Sequence, residues 1–264
     1  MLKDFEYKKC FGQNFINDDN IIKKMISSVD IDNNTLVIEI GPGAGVLSKE
    51  IIPKSKFSIL YEIDTRLEDI LSKKLSKYNN YKIIFNDFLL EDVKSEIKKY
   101  DYDKIYVIAN LPYYITTPII EKLIWDINPD KIIIMIQKEV ADRFCAKVNN
   151  REYGYITAFF NYFYDVKKLF DVSRNCFTPK PNVDSTIISM IKKNRQIEVK
   201  DINYFNKLLK DSFKFKRKTL RNNLKGYDLK IIENVLVKHG FDLTVRAENI
   251  DVDIFIEITN ELLK

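Results

Sequence analysis

Histidine is nearly missing: His239 is the one copy in 264 residues. It stands in Lys238-His239-Gly240, the pattern of a helix C-terminus closed by glycine. A catalytic triad built on histidine, or a metal centre with several histidine ligands, therefore has no material here. Cysteine is scarce too. Cys10, Cys145 and Cys176 are odd in number and far apart, form no zinc-binding spacing, and suit a reducing compartment. Long apolar runs are absent. None approaches the ~18–20 residues of a membrane span, and Met1-Leu2-Lys3-Asp4-Phe5-Glu6 lacks the apolar core of a signal peptide. The expectation is a cytoplasmic, soluble, monomeric protein with no metal and no membrane contact. A composition of 45% hydrophobic and 31% charged residues fits a globular chain, and its length allows a large core.

Glycine and proline are also sparing, at seven each. Where they fall is informative. Gly41, Gly43 and Gly45 lie within five residues, with Pro42 among them. Pro112 and Pro118 flank an aromatic pair, and Pro179 and Pro181 stand two apart. A chain this short of both has placed them at a few special turns.

Helical spacing over 18–29, with Asp18 or Asp19 as the cap and Ile21, Ile22, Met25 and Ile26 on one face, predicts an amphipathic helix. Short runs rich in Val and Ile predict strands at 35–40, 57–62, 81–86, 104–109 and 131–136. They are apolar on both faces, as in a parallel sheet covered on both sides. Helical segments are predicted between them at 45–52, 65–77, 90–98 and 117–127. This alternation predicts a doubly wound α/β domain. Helices are expected at 138–147 and 154–163, and the extended segments 164–172 and 183–192 complete the sheet. Beyond residue 195 strand-like runs thin out. Helical stretches near 201–213, 217–225, 229–239 and 251–263 predict a small all-helical C-terminal domain. The boundary is drawn between 195 and 196.

Glu39-Ile40-Gly41-Pro42-Gly43-Ala44-Gly45 follows the first of these strands and opens a helix. Glycines there allow a tight turn and a close ligand approach. The spacing is not that of dinucleotide enzymes, which need a glycine where Val46 stands, and no Gly-Lys-Ser/Thr follows to make a phosphate loop. Glu62 ends the second strand, where a carboxylate can accept hydrogen bonds from ribose hydroxyls. Asp87 follows the third, placed to take the amino proton of an adenine. A ribose-bearing ligand without a pyrophosphate fits this set, and S-adenosylmethionine is the common one.

Asn110-Leu111-Pro112-Tyr113 ends the fourth strand on the same sheet edge. It has the shape of the Asp/Asn-Pro-Pro-Tyr turn of enzymes that methylate amino groups on planar systems. An adenine exocyclic amine is a weak nucleophile because its lone pair is delocalised into the ring. Acceptors on its two protons, the Asn110 side-chain oxygen and the Leu111 carbonyl, would localise that pair. Pro112 fixes the turn. Tyr113 offers a ring for the base to stack on, worth ~1–3 kcal/mol. None of this requires a histidine.

With these motifs in hand, the sequence resembles the ribosomal RNA adenine N6-dimethyltransferases, most closely the small-subunit branch, from about residue 8 to the C-terminus. Phe11-Gly12-Gln13-Asn14-Phe15-Ile16 is similar to the family's N-terminal cofactor motif, which implies S-adenosylmethionine contacts from Asn14 and Ile16. Gln137-Lys138-Glu139-Val140-Ala141 follows the fifth strand as in the family. Phe177-Thr178-Pro179-Lys180-Pro181-Asn182-Val183-Asp184-Ser185 resembles a further family loop and implies Phe177 as a second stacking wall for a flipped adenine. Phe213 through Leu224 resembles the family's basic helix. The resemblance implies a Rossmann-like methyltransferase fold, S-adenosylmethionine at Gly41, Gly43, Glu62, Asp87 and Asn110, and dimethylation of two adjacent adenines near the 3′ end of small-subunit rRNA in an immature subunit.

The net charge of +5 understates local polarity. Lys214, Lys216, Arg217, Lys218, Arg221 and Lys225 fall in a stretch with no acid, whereas Glu248, Asp251, Asp253, Glu257 and Glu261 fall in one with no base. The first five of these cations are the expected RNA contacts. Three alternatives stand beside this reading: a large-subunit methyltransferase of the antibiotic-resistance type, a non-catalytic ribosome assembly factor, and a methyltransferase of DNA or of a protein amide.

Overall fold

Parallel strands buried on both faces need covering layers, and the computed structural model of the chain shows them. It describes residues 14–264, so Cys10 and Phe11-Gly12-Gln13 lie outside the described residues. The strands are β1 (Phe15–Ile16), β2 (Thr35–Ile40), β3 (Phe57–Glu62), β4 (Tyr81–Phe85), β5 (Lys104–Asn110), β6 (Lys131–Gln137), β7 (Tyr164–Val172), β8 (Phe177–Thr178) and β9 (Ser185–Lys192). Seven form one sheet in the order β4-β3-β2-β5-β6-β9-β7. The run from β4 to β6 is parallel, and β9 pairs antiparallel with β6. All six residues of β2 are buried, as a central strand covered on both faces requires.

Strand order changes direction at β2. The chain runs outward through β3 and β4, then returns to place β5 on β2's other edge. Such a switch opens a crevice beyond the carboxyl ends of the strands. Glu62, Asn110 and the residues after Ile40 and Phe85 all emerge there. The helix Asp19–Ser27 is capped by Asp18, whose carboxylate accepts from the Asn20 N–H at 2.9 Å. Its Ile22, Met25 and Ile26 pack with Val37, Ile108 and Met135 of the sheet. Burying side chains of that size contributes ~1.5–3 kcal/mol each. Asp64, Asp87 and Asp92 cap the short helical turns that follow β3 and β4.

A two-stranded ribbon stands apart from the large sheet. β1 pairs antiparallel with β8, setting Ile16 opposite Phe177 and Phe15 opposite Thr178. Two-residue strands carry no periodic signal, so the sequence pattern does not predict this ribbon.

Two compact units divide the chain. One runs up to Ala141 and adds Lys167–Lys192; the other takes Asp142–Val166 and Lys193–Lys264. This differs from a single boundary at 195/196, because residues 142–166 group with the C-terminal helices. Aromatic packing is the reason. Tyr162 lies 4.9 Å from Phe205 between ring centroids, Tyr153 lies 6.0 Å from Phe213, and the Tyr155 hydroxyl donates to Asn206 at 2.7 Å.

In this second unit the helices are Tyr155–Phe163, Ile202–Ser212, Leu220–Asn223, Leu229–Lys238 and Val252–Leu262. The stretch expected as a basic helix is helical only over Leu220–Asn223. Lys214 to Lys218 form a turn. The Asn223 side-chain amide donates to the Ser212 carbonyl at 2.7 Å and satisfies the end of the preceding helix, which stops continuation there. His239 closes the helix before Gly240, whose φ is +79°, and bonds Glu257 at 2.8 Å. The acidic run is partly engaged: Asp251 caps the last helix, and Glu257 also pairs with Lys238 at 2.8 Å.

Candidate active site

The crevice is floored by the glycine turn. Gly41, Gly43 and Gly45 all adopt positive φ, between 56° and 70°, a region that side chains with a Cβ disfavour. At Gly43 a Cβ would also stand 2.8 Å from Cε1 of Phe15. The turn is tied to β3 by Gly41 N–H donating to the Tyr61 carbonyl at 2.8 Å. It is tied again by Gly43 N–H donating to Glu62 Oε2 at 2.9 Å.

Three carboxylates stand around that floor. Glu62 is buried, and its other oxygen accepts from Asp64 N–H at 3.0 Å. Burial raises its pKa above the ordinary value, against the opposing backbone bonds from Asp64 and Gly43. Each of its oxygens keeps a lone pair for a ligand hydroxyl. Asp87 uses Oδ1 to cap Leu89 N–H at 2.9 Å, leaving Oδ2 for a ligand amine. Glu39 is the third. Its Oε2 is buried, lines the crevice and has no hydrogen-bond partner among the described residues. Burial pushes its pKa up to about 8; the Ser48 hydroxyl opposes this and the charge of Glu62 adds to it. Two acids with raised pKa values in one crevice suit a cationic ligand, whose charge would favour their ionised forms. Sequence reasoning reaches Glu39 only as the first letter of the glycine motif. An acid among the four apolar residues Leu36, Val37, Ile38 and Ile40 of β2 is the available signal.

The opposite wall is the turn after β5. The Asn110 side-chain Nδ2 donates to the backbone carbonyl of Asn14 at 3.0 Å, which fixes the amide and turns Oδ1 the other way. Amide rotation is thereby assigned by a bond rather than left open. Leu111 is 1% exposed, and its N–H donates to the Met135 carbonyl at 3.2 Å. Pro112 takes φ −58° and ψ 129°. The Tyr113 hydroxyl is 2.6 Å from Ser185 Oγ on β9, which holds the ring in place. Burial raises the Tyr113 pKa, so the phenol stays neutral at ordinary pH.

The structure gathers Asn14, Ile16, Gly41, Gly43, Glu62, Asp87, Asn110, Leu111, Pro112 and Tyr113 around one crevice. Phe177 is not on its wall. The ring is 3% exposed and packs with Met25, Val172 and Ile187, because β8 lies against β1 and turns Phe177 into the apolar cluster. Lys214, Lys216, Arg217, Lys218 and Arg221 belong to the second compact unit and are exposed. Among the described residues, no group of three His, Cys, Asp or Glu is placed to hold a metal. No helix among them is long and apolar enough to cross a membrane.

Comparison with known proteins agrees with this geometry. A family model described as ribosomal RNA adenine dimethylase matches residues 4–264. The ribosomal RNA small subunit methyltransferase A of Streptococcus gordonii is 40% identical, over 98% of this chain and 92% of that protein. Among solved structures, a dimethyladenosine transferase from Plasmodium falciparum superposes with a TM-score of 0.77 at 26% identity, covering 92% of this chain and 95% of that one. The 23S rRNA methyltransferase ErmE superposes with a TM-score of 0.75, covering 95% of this chain and all of that one; at 21% identity it speaks for the fold alone. On the sequence match over nearly its whole length, this chain belongs to the ribosomal RNA adenine dimethylase family.

Proposed function

We propose that the chain dimethylates the N6 amines of two adjacent adenines near the 3′ end of small-subunit rRNA, in an immature ribosomal subunit, with S-adenosylmethionine as donor and as a single chain. The observation that carries the reading is the Asn110 amide, anchored through Nδ2 to Asn14 so that Oδ1 remains as an acceptor. It stands in the same crevice as the glycine turn, Glu62 and Asp87.

S-adenosylmethionine, when bound, supplies an electrophilic methyl group on a sulfonium. The residues present fit it: the orphaned oxygen of Glu39 suits its ammonium, Glu62 its ribose hydroxyls and Asp87 its adenine amine, with Asn14, Ile16, Gly41, Gly43 and Asn110 completing the cradle. Asn110 Oδ1 and the Leu111 carbonyl take the two protons of the target amine and localise its lone pair on nitrogen. The Tyr113 ring holds the base in plane. With the donor held by Glu39, Glu62 and Asp87, these acceptors would hold the amine nitrogen facing the methyl group that the cofactor would supply, and the surplus amine proton would pass to solvent. Alignment of this kind contributes up to ~7–11 kcal/mol, so no general base is required. The target adenine has to leave its stack to be reached.

Lys214, Lys216, Arg217, Lys218 and Arg221 are assigned to rRNA phosphates. Replacing Lys214, Arg217 and Lys218 together with Glu is expected to weaken rRNA binding and to flatten its salt dependence, by about 0.7–0.9 in slope for each phosphate no longer neutralised. Binding that keeps its strength and slope in that triple variant would remove the assignment.

The direct test uses the purified chain with immature small subunits lacking the modification and S-adenosylmethionine. Mass spectrometry of the digested rRNA is expected to show two dimethyladenosines per subunit. Modification of large-subunit rRNA instead, or RNA binding without transfer, would overturn the reading in favour of an alternative.

A further inference from the structure

The turn that carries the basic residues also carries an aromatic ring that its cations leave unexplained. Phe215 is 56% exposed, between Lys214 and Lys216. Its neighbour two residues back behaves oppositely: Phe213 turns inward, with ring centroids 6.0 Å from Tyr153 and 5.9 Å from Phe255. Phe213 anchors the turn, and Phe215 is left outside it.

The backbone that presents Phe215 is held from within. Its carbonyl accepts from Lys218 N–H at 2.8 Å and from the Asn223 side-chain amide at 3.3 Å. The same amide holds the Ser212 carbonyl at 2.7 Å. A pinned turn gives up little further backbone entropy when it binds, so the ring is ready for a partner. Lys214 Nζ lies 5.6 Å from the ring centroid, within reach of a cation–π contact that orders the ring.

The partner must be anionic, because residues 214–225 contain Lys and Arg and no acid. It must also offer a flat apolar face. An unpaired nucleobase between phosphates has both. A lipid surface is the other anionic and apolar candidate, but one ring on a turn is not the broad apolar face of an interfacial helix.

We propose that Phe215 is a stacking platform for an unpaired base of the RNA whose phosphates the flanking cations hold. The proposal rests on the reading that this chain acts on RNA, and it adds to that reading a base contact outside the catalytic crevice.

Stacking and charge differ in their salt dependence, which separates them. The full-length chain is titrated with a fluorescein-labelled small-subunit rRNA hairpin bearing unpaired loop bases, at several salt concentrations. A fully paired duplex of the same length serves as the second probe. Phe215→Ala is expected to raise the hairpin Kd by about 5- to 160-fold, the equivalent of ~1–3 kcal/mol for one stacked base. The slope of log K against log salt is expected to stay that of wild type, since every phosphate keeps its cation. Duplex affinity is expected to change less than twofold. Phe215→Trp is expected to restore hairpin affinity, with its indole emission quenched on binding. Thermal unfolding of both variants serves as the control that the exposed site leaves the fold intact.

Wild-type hairpin affinity in Phe215→Ala overturns the proposal, as does an equal drop on hairpin and duplex. Loss of binding to phosphatidylglycerol vesicles, with RNA affinity intact, overturns it in favour of a membrane surface. Failure of the wild-type chain to bind either RNA defeats the RNA reading as well, so the two failures are distinguishable.

Discussion

Asn110→Ala is expected to lower turnover on small-subunit rRNA by about 10²- to 10³-fold, the usual cost of removing one group aimed at developing charge. Affinity for S-adenosylhomocysteine is expected to change by less than about tenfold, equivalent to ~1.4 kcal/mol. The asymmetry follows from what the side chain does. Its Nδ2 is committed to the Asn14 carbonyl at 3.0 Å, so Oδ1 is the atom offered to a substrate. Cofactor contacts are spread over the glycine turn, Glu62, Asp87 and the segment Asn14–Ile16, and most of them survive the change. The target amine is deprived of one of only two acceptors. Asn110→Asp is the sharper companion variant. It keeps an acceptor but removes the donor to Asn14 and sets a carboxylate against that carbonyl. Turnover between those of Ala and wild type is expected. Single-turnover kinetics with saturating cofactor, alongside calorimetric titration, read both quantities. Near-normal turnover in Asn110→Ala would be fatal to the catalytic assignment.

The large features of the fold are legible because each rests on a repeating physical signal. The five parallel strands read correctly to within a residue because each is a short run dominated by apolar residues. The helix after Asp18 is legible from its cap and its Ile22, Met25 and Ile26 face. What fails to read is short or non-local. β1 and β8 are two residues each and pair across more than 160 positions of chain, so nothing in a window reveals them. The resemblance makes Phe213 through Leu224 one basic helix, whereas 214–218 is a turn; the side chain that ends the preceding helix, Asn223, comes after the turn and reaches back. In the crevice, Glu62, Asp87 and Asn110 are legible because they lie at strand ends. The Asn14 carbonyl that orients Asn110 is backbone, and backbone has no letter in a sequence. Resemblance gives Phe177 a place on the wall, and the ribbon puts its ring in the core instead.

Glu39→Gln is expected to stabilise the ligand-free protein while weakening its hold on the cofactor. Burial pushes the Glu39 pKa up to about 8, from 4.5 for an unperturbed glutamate. A carboxyl whose folded pKa is raised takes up a proton on folding at any pH between the two values. Its cost is absent below pH 4.5, grows as pH rises, and levels off above about 8. At pH 7 that cost is roughly 3 kcal/mol, from 1.36 kcal/mol per pH unit. Glutamine never ionises and avoids it. Denaturant unfolding of wild type and variant should therefore agree at pH 4.5 and diverge steadily up to pH 8, with the variant the more stable. Cofactor binding should move the other way. A cationic ligand beside Glu39 favours its ionised form, so wild type should release a proton when it binds S-adenosylhomocysteine at pH 7. That release is visible as a dependence of the binding heat on buffer ionisation enthalpy, and Glu39→Gln should lack it. Affinity should fall by about tenfold, equivalent to ~1.4 kcal/mol. A stability gain with no pH dependence would mean that Glu39 is ionised in the empty crevice. A stability gain with unchanged affinity and proton release would place the ammonium elsewhere. If both expectations hold, the chain keeps a destabilising acid in its central strand because the ligand needs it, a trade of stability for function.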